Sequence, residues 1–107
     1  MEIKKLNNFK WWWIIWDFIP SLIENNKLFE VWIKEYKKWD KDKKHYHKVA
    51  TEYTIINCWK FLMNWKELSK WDIVIIKPNE VVEFVCIEDW NITVIKLPSV
   101  PDDKYLV

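Results

Sequence analysis

Short apolar runs separated by polar clusters make up the chain from residue 28 onward, and turn signals recur roughly every 8–12 residues. The runs are rich in Val, Ile, Tyr and Phe, and stretches such as "FEVWI" alternate with the period of a strand. Pro78 and Pro98 each end a run, as expected of a residue that cannot donate to a ladder. This pattern predicts one all-β domain, a sandwich or a barrel, with strands at about 28–37, 45–48, 52–58, 60–64, 72–77, 83–88 and 91–97.

Composition and charge place this domain among ordinary soluble proteins. The chain has 107 residues, 31% of them charged, and a net charge of +1, which gives no electrostatic reason to expect binding to nucleic acid or to an anionic membrane. Asp17 interrupts the apolar run near the N-terminus, and no run approaches the roughly 18 apolar residues of a membrane span. Cys58 and Cys86 form no CxxC motif and are expected to be reduced thiols. We therefore expect a cytoplasmic protein.

The tryptophan content is anomalous, because the chain has ten Trp and no Gly. An average domain of this size carries about seven glycines. Trp65 follows Asn64, and Trp90 follows Asp89, at places where Asn-Gly or Asp-Gly would form a hairpin turn. Three more tryptophans lie between a polar cluster and a strand-like run: Trp39, Trp59 and Trp71. Such positions often require a positive φ, which glycine adopts without a steric clash.

These positions suggest that most of the tryptophans stand where the protein made by its organism has glycine. Some genomes read UGA as glycine, and other translation tables read the same codon as tryptophan. A composition rich in Lys, Asn and Ile, with no Arg and no Gln, suits an AT-rich genome of that kind. UGG codons at Trp39, Trp59, Trp65 and Trp71 would exclude this hypothesis. The alternative is a genuinely Trp-rich protein with an aromatic binding surface.

A candidate metal site lies in the window "WDKDKKHYHKVATEYTIINCW" at 39–59. His45 and His47 are two residues apart, so on a strand both imidazoles project from one face. Glu52 begins the next predicted strand, where it can lie beside the pair. Two imidazoles and one carboxylate form a facial arrangement that holds a divalent metal with open positions. A His-x-His pair alone is a weak signal, and a solvated pair in a lysine-rich loop is the alternative.

With Trp39 and Trp59 read as glycine, this window resembles the first signature motif of the cupin superfamily at every fixed position. A second segment, "WDIVIIKPNEVVEF" at 71–84, resembles the second cupin motif. It departs from that motif by one extra residue before Pro78, by Glu80 in place of glycine, and by Glu83 in place of the third histidine. The first motif is therefore the more specific of the two.

The ends of the chain also look like those of a group of small bacterial cupin-domain proteins. The segments concerned are "FKWWWIIWDFIPS" and "PSVPDDKYLV". In that group Trp13 would be a true tryptophan, whereas Trp11, Trp12 and Trp16 would be glycines. The resemblance implies a double-stranded β-helix, a small conical barrel of the jelly-roll type. Its parts would be an N-terminal extension at 1–27, a barrel core at 28–97 and a C-terminal tail at 98–107.

The resemblance also implies a site inside the barrel. His45, His47 and Glu52 map onto three metal-ligand positions of the family, and Glu83 maps onto the fourth. A set of two histidines and two carboxylates favours iron(II), manganese or zinc. Glu83 or a pocket tyrosine, with Tyr53 as the candidate, would move protons. The alternative is a metal-free barrel whose histidines are hydrogen-bonded to the carboxylates.

Three functions are compatible with such a barrel, because cupins span many activities. The first is a metal-dependent enzyme that acts on a small polar molecule such as a sugar or an organic acid. The second is a non-catalytic module that senses a small ligand. The third is a metal-free isomerase of sugars with His45 or His47 as general base, although a chain without Arg lacks a bidentate clamp for phosphate. We also expect a homodimer formed through residues 9–20, because pairing removes an exposed strand edge.

Overall fold

Antiparallel β-strands make up nearly all of the regular structure. A computed structural model describes residues 1–17, 19–24, 26–57 and 60–107, with only the backbone of Trp90. Two 3-10 turns, Leu6–Asn8 and Lys10–Trp12, precede ten strands: β1 Trp13–Ile15, β2 Glu30–Tyr36, β3 Lys41–Tyr46, β4 Thr51–Ile56, β5 Phe61–Met63, β6 Lys66–Leu68, β7 Ile73–Ile76, β8 Val82–Cys86, β9 Trp90–Leu97 and β10 Tyr105–Leu106. The predicted all-β class is confirmed. In these ranges no helix is long and apolar enough to span a membrane.

The strands form two five-stranded sheets whose inner faces enclose the core. Sheet A has the order β1-β2-β9-β4-β7, and sheet B has the order β10-β3-β8-β5-β6. The apolar core fills one end of the space between the sheets: Tyr36, Ile56, Phe61, Met63, Ile76, Val82, Phe84, Cys86, Ile92 and Val94. The Cys86 thiol is fully buried there, as expected, whereas Cys58 lies outside the described residues.

Each of the seven predicted strands has a counterpart, and the structure adds three strands that the apolar pattern does not predict. These are β1, β6 and β10, of which β1 lies in the predicted extension and β10 in the predicted tail. In addition, β3 begins at Lys41 rather than near 45. Its first residues, "KDKK", are charged, so no apolar alternation marks them. They become a strand because β3 pairs with β8 in sheet B, with Lys41 opposite Val85.

Among the described residues, five tryptophans adopt a positive φ, the conformation that favours glycine. Their φ angles are 51° at Trp11, 61° at Trp12, 72° at Trp39, 62° at Trp65 and 77° at Trp71. A side chain with a Cβ costs about 1–2 kcal/mol in this left-handed region. The indoles are poorly packed, because all of these residues except the half-buried Trp12 are 60–72% exposed. The backbone at these five positions therefore has the geometry of glycine sites.

The local turns explain three of these angles. Asn64 and Trp65 connect β5 to β6, and positive φ at both is the combination of a type I′ hairpin turn, as predicted. The Asp72 N–H donates to the Ser69 carbonyl at 3.0 Å, and the Asp40 N–H donates to the Lys37 carbonyl at 2.9 Å. Trp71 and Trp39 each occupy the third position of these two turns, where type II geometry requires a positive φ.

The glycine-like backbone does not extend to every tryptophan of the described residues. The predicted turn at Trp90 is wrong, because this residue begins β9 and is paired with Tyr36 in β2. Trp16 has no positive φ, and its indole Nε1 donates to the Pro20 carbonyl at 2.7 Å. Trp59 lies outside the described residues.

The predicted dimer contact at 9–20 includes an edge of sheet A. Within this segment β1 pairs with β2 and stands at the end of the strand order. An edge strand presents unpaired N–H and C=O groups that a second copy can satisfy. We therefore expect light scattering at micromolar concentration to give twice the 13.4 kDa mass of one chain. A mass near 13.4 kDa would exclude the homodimer.

Candidate functional site

A cavity of about 260 Å³ lies between the sheets beside the apolar core. Strands β2, β4 and β9 of sheet A and β3 and β8 of sheet B line it, together with residues 100–104 of the C-terminal segment. Its volume is slightly below the roughly 300–1,000 Å³ of sites for drug-sized ligands, so it suits a small molecule. The predicted residues His45, His47 and Glu52 are among the residues that line it.

His45 lies near the end of β3 and is only 3% exposed. Its Nδ1 lies 2.7 Å from the Lys43 carbonyl oxygen. A carbonyl only accepts, so Nδ1 donates its proton and Nε2 keeps the lone pair. Burial lowers the pKa of His45, and the positive charge of Lys104 lowers it further. The ring is therefore a neutral imidazole with a basic Nε2.

His47 follows directly after β3 and is held in the same tautomer. Its Nδ1 donates to the backbone carbonyl of Asp103. Its Nε2 is buried and has no hydrogen-bond partner in the described residues, although Glu52 Oε1 lies 3.5 Å away. The His45 and His47 ring centroids are 5.4 Å apart. Buried polar atoms are nearly always satisfied in native proteins, so this nitrogen of a cavity-lining residue is a candidate position for a bound water, ion or ligand.

Glu52 belongs to a row of alternating charges on the inner face of sheet A. The register places Glu30 opposite Lys96, and Lys96 opposite Glu52. Glu52 Oε2 also accepts a hydrogen bond from Thr54 Oγ1 at 2.6 Å. Burial raises the pKa of Glu52, but the contact with His47, the charge of Lys96 and the Thr54 hydroxyl together hold it below its ordinary value. Glu52 is therefore an ionised carboxylate inside the cavity wall.

Glu83 and Tyr53 do not line the cavity. Glu83 lies between Val82 and Phe84, whose side chains are buried in the core, so alternation along β8 places it on the outer face. Tyr53 lies on the outer face of β4, between the buried residues Glu52 and Thr54. The apolar neighbours of Glu83 occupy the inward-facing positions of β8. Glu83 is one residue away from each of them, so its side chain lies on the opposite face of the strand. The structure thus brings together three of the four predicted ligands and neither predicted proton-transfer residue.

A second polar group, in which a lysine is paired with a carboxylate, also lines the cavity and was not predicted. Lys34 Nζ lies 2.6 Å from both carboxylate oxygens of Asp42, and the Tyr36 hydroxyl donates to Asp42 at 2.9 Å. Burial and the Asp42 charge raise the pKa of Tyr36, so its hydroxyl stays protonated. Burial also raises the pKa of Asp42, but Lys34 and Tyr36 outweigh it, and the pKa is lowered. Period-2 alternation along β2 places Lys34 and Tyr36 on one face, whereas Asp42 lies in a charge run that looks like a solvated loop.

Sequence comparison finds no known protein-family model that matches the chain, and no curated protein sequence that matches it. Solved structures do match. A double-stranded β-helix protein from Klebsiella pneumoniae has a TM-score of 0.69 and 16% identity, covering 85% of this chain and 80% of the other. An RmlC-like cupin from Shewanella frigidimarina has a TM-score of 0.63 and 17% identity, covering 73% and 72%. The protein has the cupin fold.

A third neighbour is a sugar phosphate isomerase of the cupin superfamily from Silicibacter pomeroyi. It has a TM-score of 0.58 and 15% identity, over 65% of this chain and 50% of the other. At such identities the likeness concerns the fold, and the function of this protein has to be argued from its own residues.

The cavity residues of this protein suit a divalent metal in donor type. Two imidazoles with a lone pair on Nε2 and one ionised carboxylate are ligands for iron(II), manganese or zinc. Each histidine is oriented by a backbone carbonyl on Nδ1, the usual partner of a metal-bound imidazole. The described residues contain no group of three His, Cys, Asp or Glu side chains gathered closely enough to hold an ion as they stand. The ligand types and the histidine tautomers therefore suit a metal ion, but the side chains do not form a closed set of ligands around one position.

Proposed function

We propose that this cupin binds a small polar molecule, a sugar or an organic acid, in the cavity between its sheets, at a divalent metal held by His45, His47 and Glu52. The buried, unpartnered Nε2 of His47 is the observation that carries this proposal. That nitrogen accepts through its lone pair and has no hydrogen-bond donor among the described residues, and a metal ion or a ligand donor satisfies it. The nearby Glu52 carboxylate supplies the negative charge that favours a cation.

The two polar groups of the cavity have different roles in this proposal. A metal held by His45, His47 and Glu52 would act as a Lewis acid that polarises a carbonyl or hydroxyl oxygen of the ligand. On the side of Lys34, the ammonium offers N–H donors, and the Tyr36 oxygen and the Asp42 carboxylate offer acceptors for ligand hydroxyls. Sugars carry hydroxyls all around the ring, and one structural neighbour is a sugar phosphate isomerase, which supports this ligand class.

The Glu52→Gln variant tests the metal site. The amide keeps the shape of the side chain and an oxygen for the Thr54 hydroxyl, but it loses the charge and the anionic ligand. We expect zinc or manganese affinity, measured by titration calorimetry, to fall by more than about 100-fold, because loss of an anionic ligand exceeds the roughly 10–100-fold loss caused by outer-sphere partners. Glu83→Gln is the matched control and should leave the affinity unchanged. Equal losses in both variants would place the metal elsewhere.

The metal-free alternative rests on a different observation. No closed ligand group forms in the described part of the chain, and the 3.5 Å between His47 Nε2 and Glu52 Oε1 allows the pair to share a ligand proton. In this case His47 acts as the general base, and Glu52 stabilises the imidazolium that forms. A chelator separates the two functions: it abolishes ligand binding by the metal site and leaves the metal-free site unaffected.

A further inference from the structure

The C-terminal segment 98–107 packs against the strand that carries the histidines. Within it β10 pairs with β3, with Leu106 opposite His45 and Tyr105 opposite Tyr46. The rings of Tyr105 and Tyr46 stack with centroids 5.5 Å apart. Backbone pairing and an aromatic stack therefore fix this segment against the end of β3.

Asp103 is the centre of these contacts and is only 7% exposed. Its backbone carbonyl accepts the Nδ1 proton of His47. Its carboxylate accepts from three successive backbone N–H groups: 2.9 Å from Lys48, 3.1 Å from Val49 and 2.9 Å from Ala50. One residue therefore holds the histidine ring and also the loop that joins His47 to β4.

We propose that Asp103 is a positioning residue that fixes His47 as the Nδ1–H tautomer, with its Nε2 lone pair directed into the cavity. The carboxylate anchors Asp103 on the loop 48–50, and this anchor keeps the carbonyl in reach of Nδ1. The loop leads to Glu52, so the same anchor also sets the spacing between His47 and the carboxylate. Either role of His47, as metal ligand or as base, needs the lone pair on Nε2.

This proposal rests on the proposed function only in assigning His47 Nε2 to ligand binding. The geometry of the anchor predicts a specific sensitivity. An amide in place of the carboxylate retains one acceptor oxygen and turns an NH₂ group toward the loop N–H groups. Asp103→Asn therefore loses the anchor, although the side chain keeps its size.

The test uses the full-length chain and the Asp103→Asn variant, with Asp102→Asn as the matched control. Asp102 also lines the cavity and has a φ of 61°, which asparagine tolerates, so both variants lose one charge at neighbouring positions. Nitrogen-15 NMR of the histidine rings reports the tautomer, and zinc titration reports the affinity. We expect Asp103→Asn to give a mixture of His47 tautomers and about 10–100-fold weaker zinc binding, whereas Asp102→Asn leaves the His47 tautomer unchanged.

A single Nδ1–H tautomer of His47 in folded Asp103→Asn would overturn the proposal, as would the same tautomer mixture in Asp102→Asn. If the wild-type chain binds no zinc, the metal proposal fails, but the tautomer spectra still decide the role of Asp103. Should Asp103→Asn fail to fold, Asp103→Glu replaces it, because it keeps the charge and moves the carboxylate by one methylene. A shift of the His47 tautomer ratio in that variant supports the proposal, and an unchanged ratio contradicts it.

Discussion

Replacing Trp11, Trp12, Trp39, Trp65 and Trp71 together with glycine should raise the melting temperature by about 10 °C. All five adopt a positive φ, and relief of the steric penalty returns about 1–2 kcal/mol per site. The freedom of glycine in the unfolded chain offsets about 0.4–1 kcal/mol of this per site. Little packing is lost, since four of the indoles are 60–72% exposed. Calorimetry or circular dichroism against temperature measures the change.

Trp13→Gly is the matched control for this experiment. Trp13 has a φ of −76°, and its ring stacks on Trp32 with a centroid distance of 4.5 Å. The same substitution should therefore lower the melting temperature, because it removes packing and relieves no strain. If the five-glycine variant melts at or below the temperature of the chain with tryptophan, turn geometry does not limit its stability. The aromatic-surface alternative would then gain priority over the glycine hypothesis.

The double variant with His45→Ala and His47→Ala should lose divalent-metal binding completely while the barrel still folds. It removes both imidazole ligands and leaves the Glu52 carboxylate alone, which is too few ligands for any of the three candidate metals. The barrel should persist because the core cluster contains neither histidine. Metal content after dialysis and the cooperativity of thermal unfolding are the two measurements.

Lys43→Ala with Lys44→Ala is the control pair for this variant. These two residues precede the histidines in β3, and both are exposed. The pair changes two side chains of the same strand outside the cavity, so we expect an unchanged metal content. One equivalent of tightly bound metal in the double histidine variant would refute the site. Loss of metal in both double variants would show that disturbance of β3, rather than loss of ligands, is responsible.

The parts of the fold that depend on local sequence were predictable. Alternation in "FEVWI" gave the strand Glu30–Tyr36, and Asn64 with Trp65 marked a hairpin turn that the structure contains. The charged start of β3 could not be predicted from apolar alternation. Lys41 and its neighbours have no apolar alternation and pair with a strand some forty residues away.

The sequence by itself determined the all-β class, the turns that demand a glycine-like backbone, and the pairing of His45 and His47 near Glu52. These features follow from neighbours within a few residues, because side-chain alternation and turn conformation are local properties. Only the tertiary structure decided that Glu83 faces outward, that Lys34 meets Asp42 inside the cavity, and that Asp103 holds His47. These outcomes depend on which face each strand turns to the core and on contacts between residues as far as 56 positions apart in the chain. Burial of the whole core selects both.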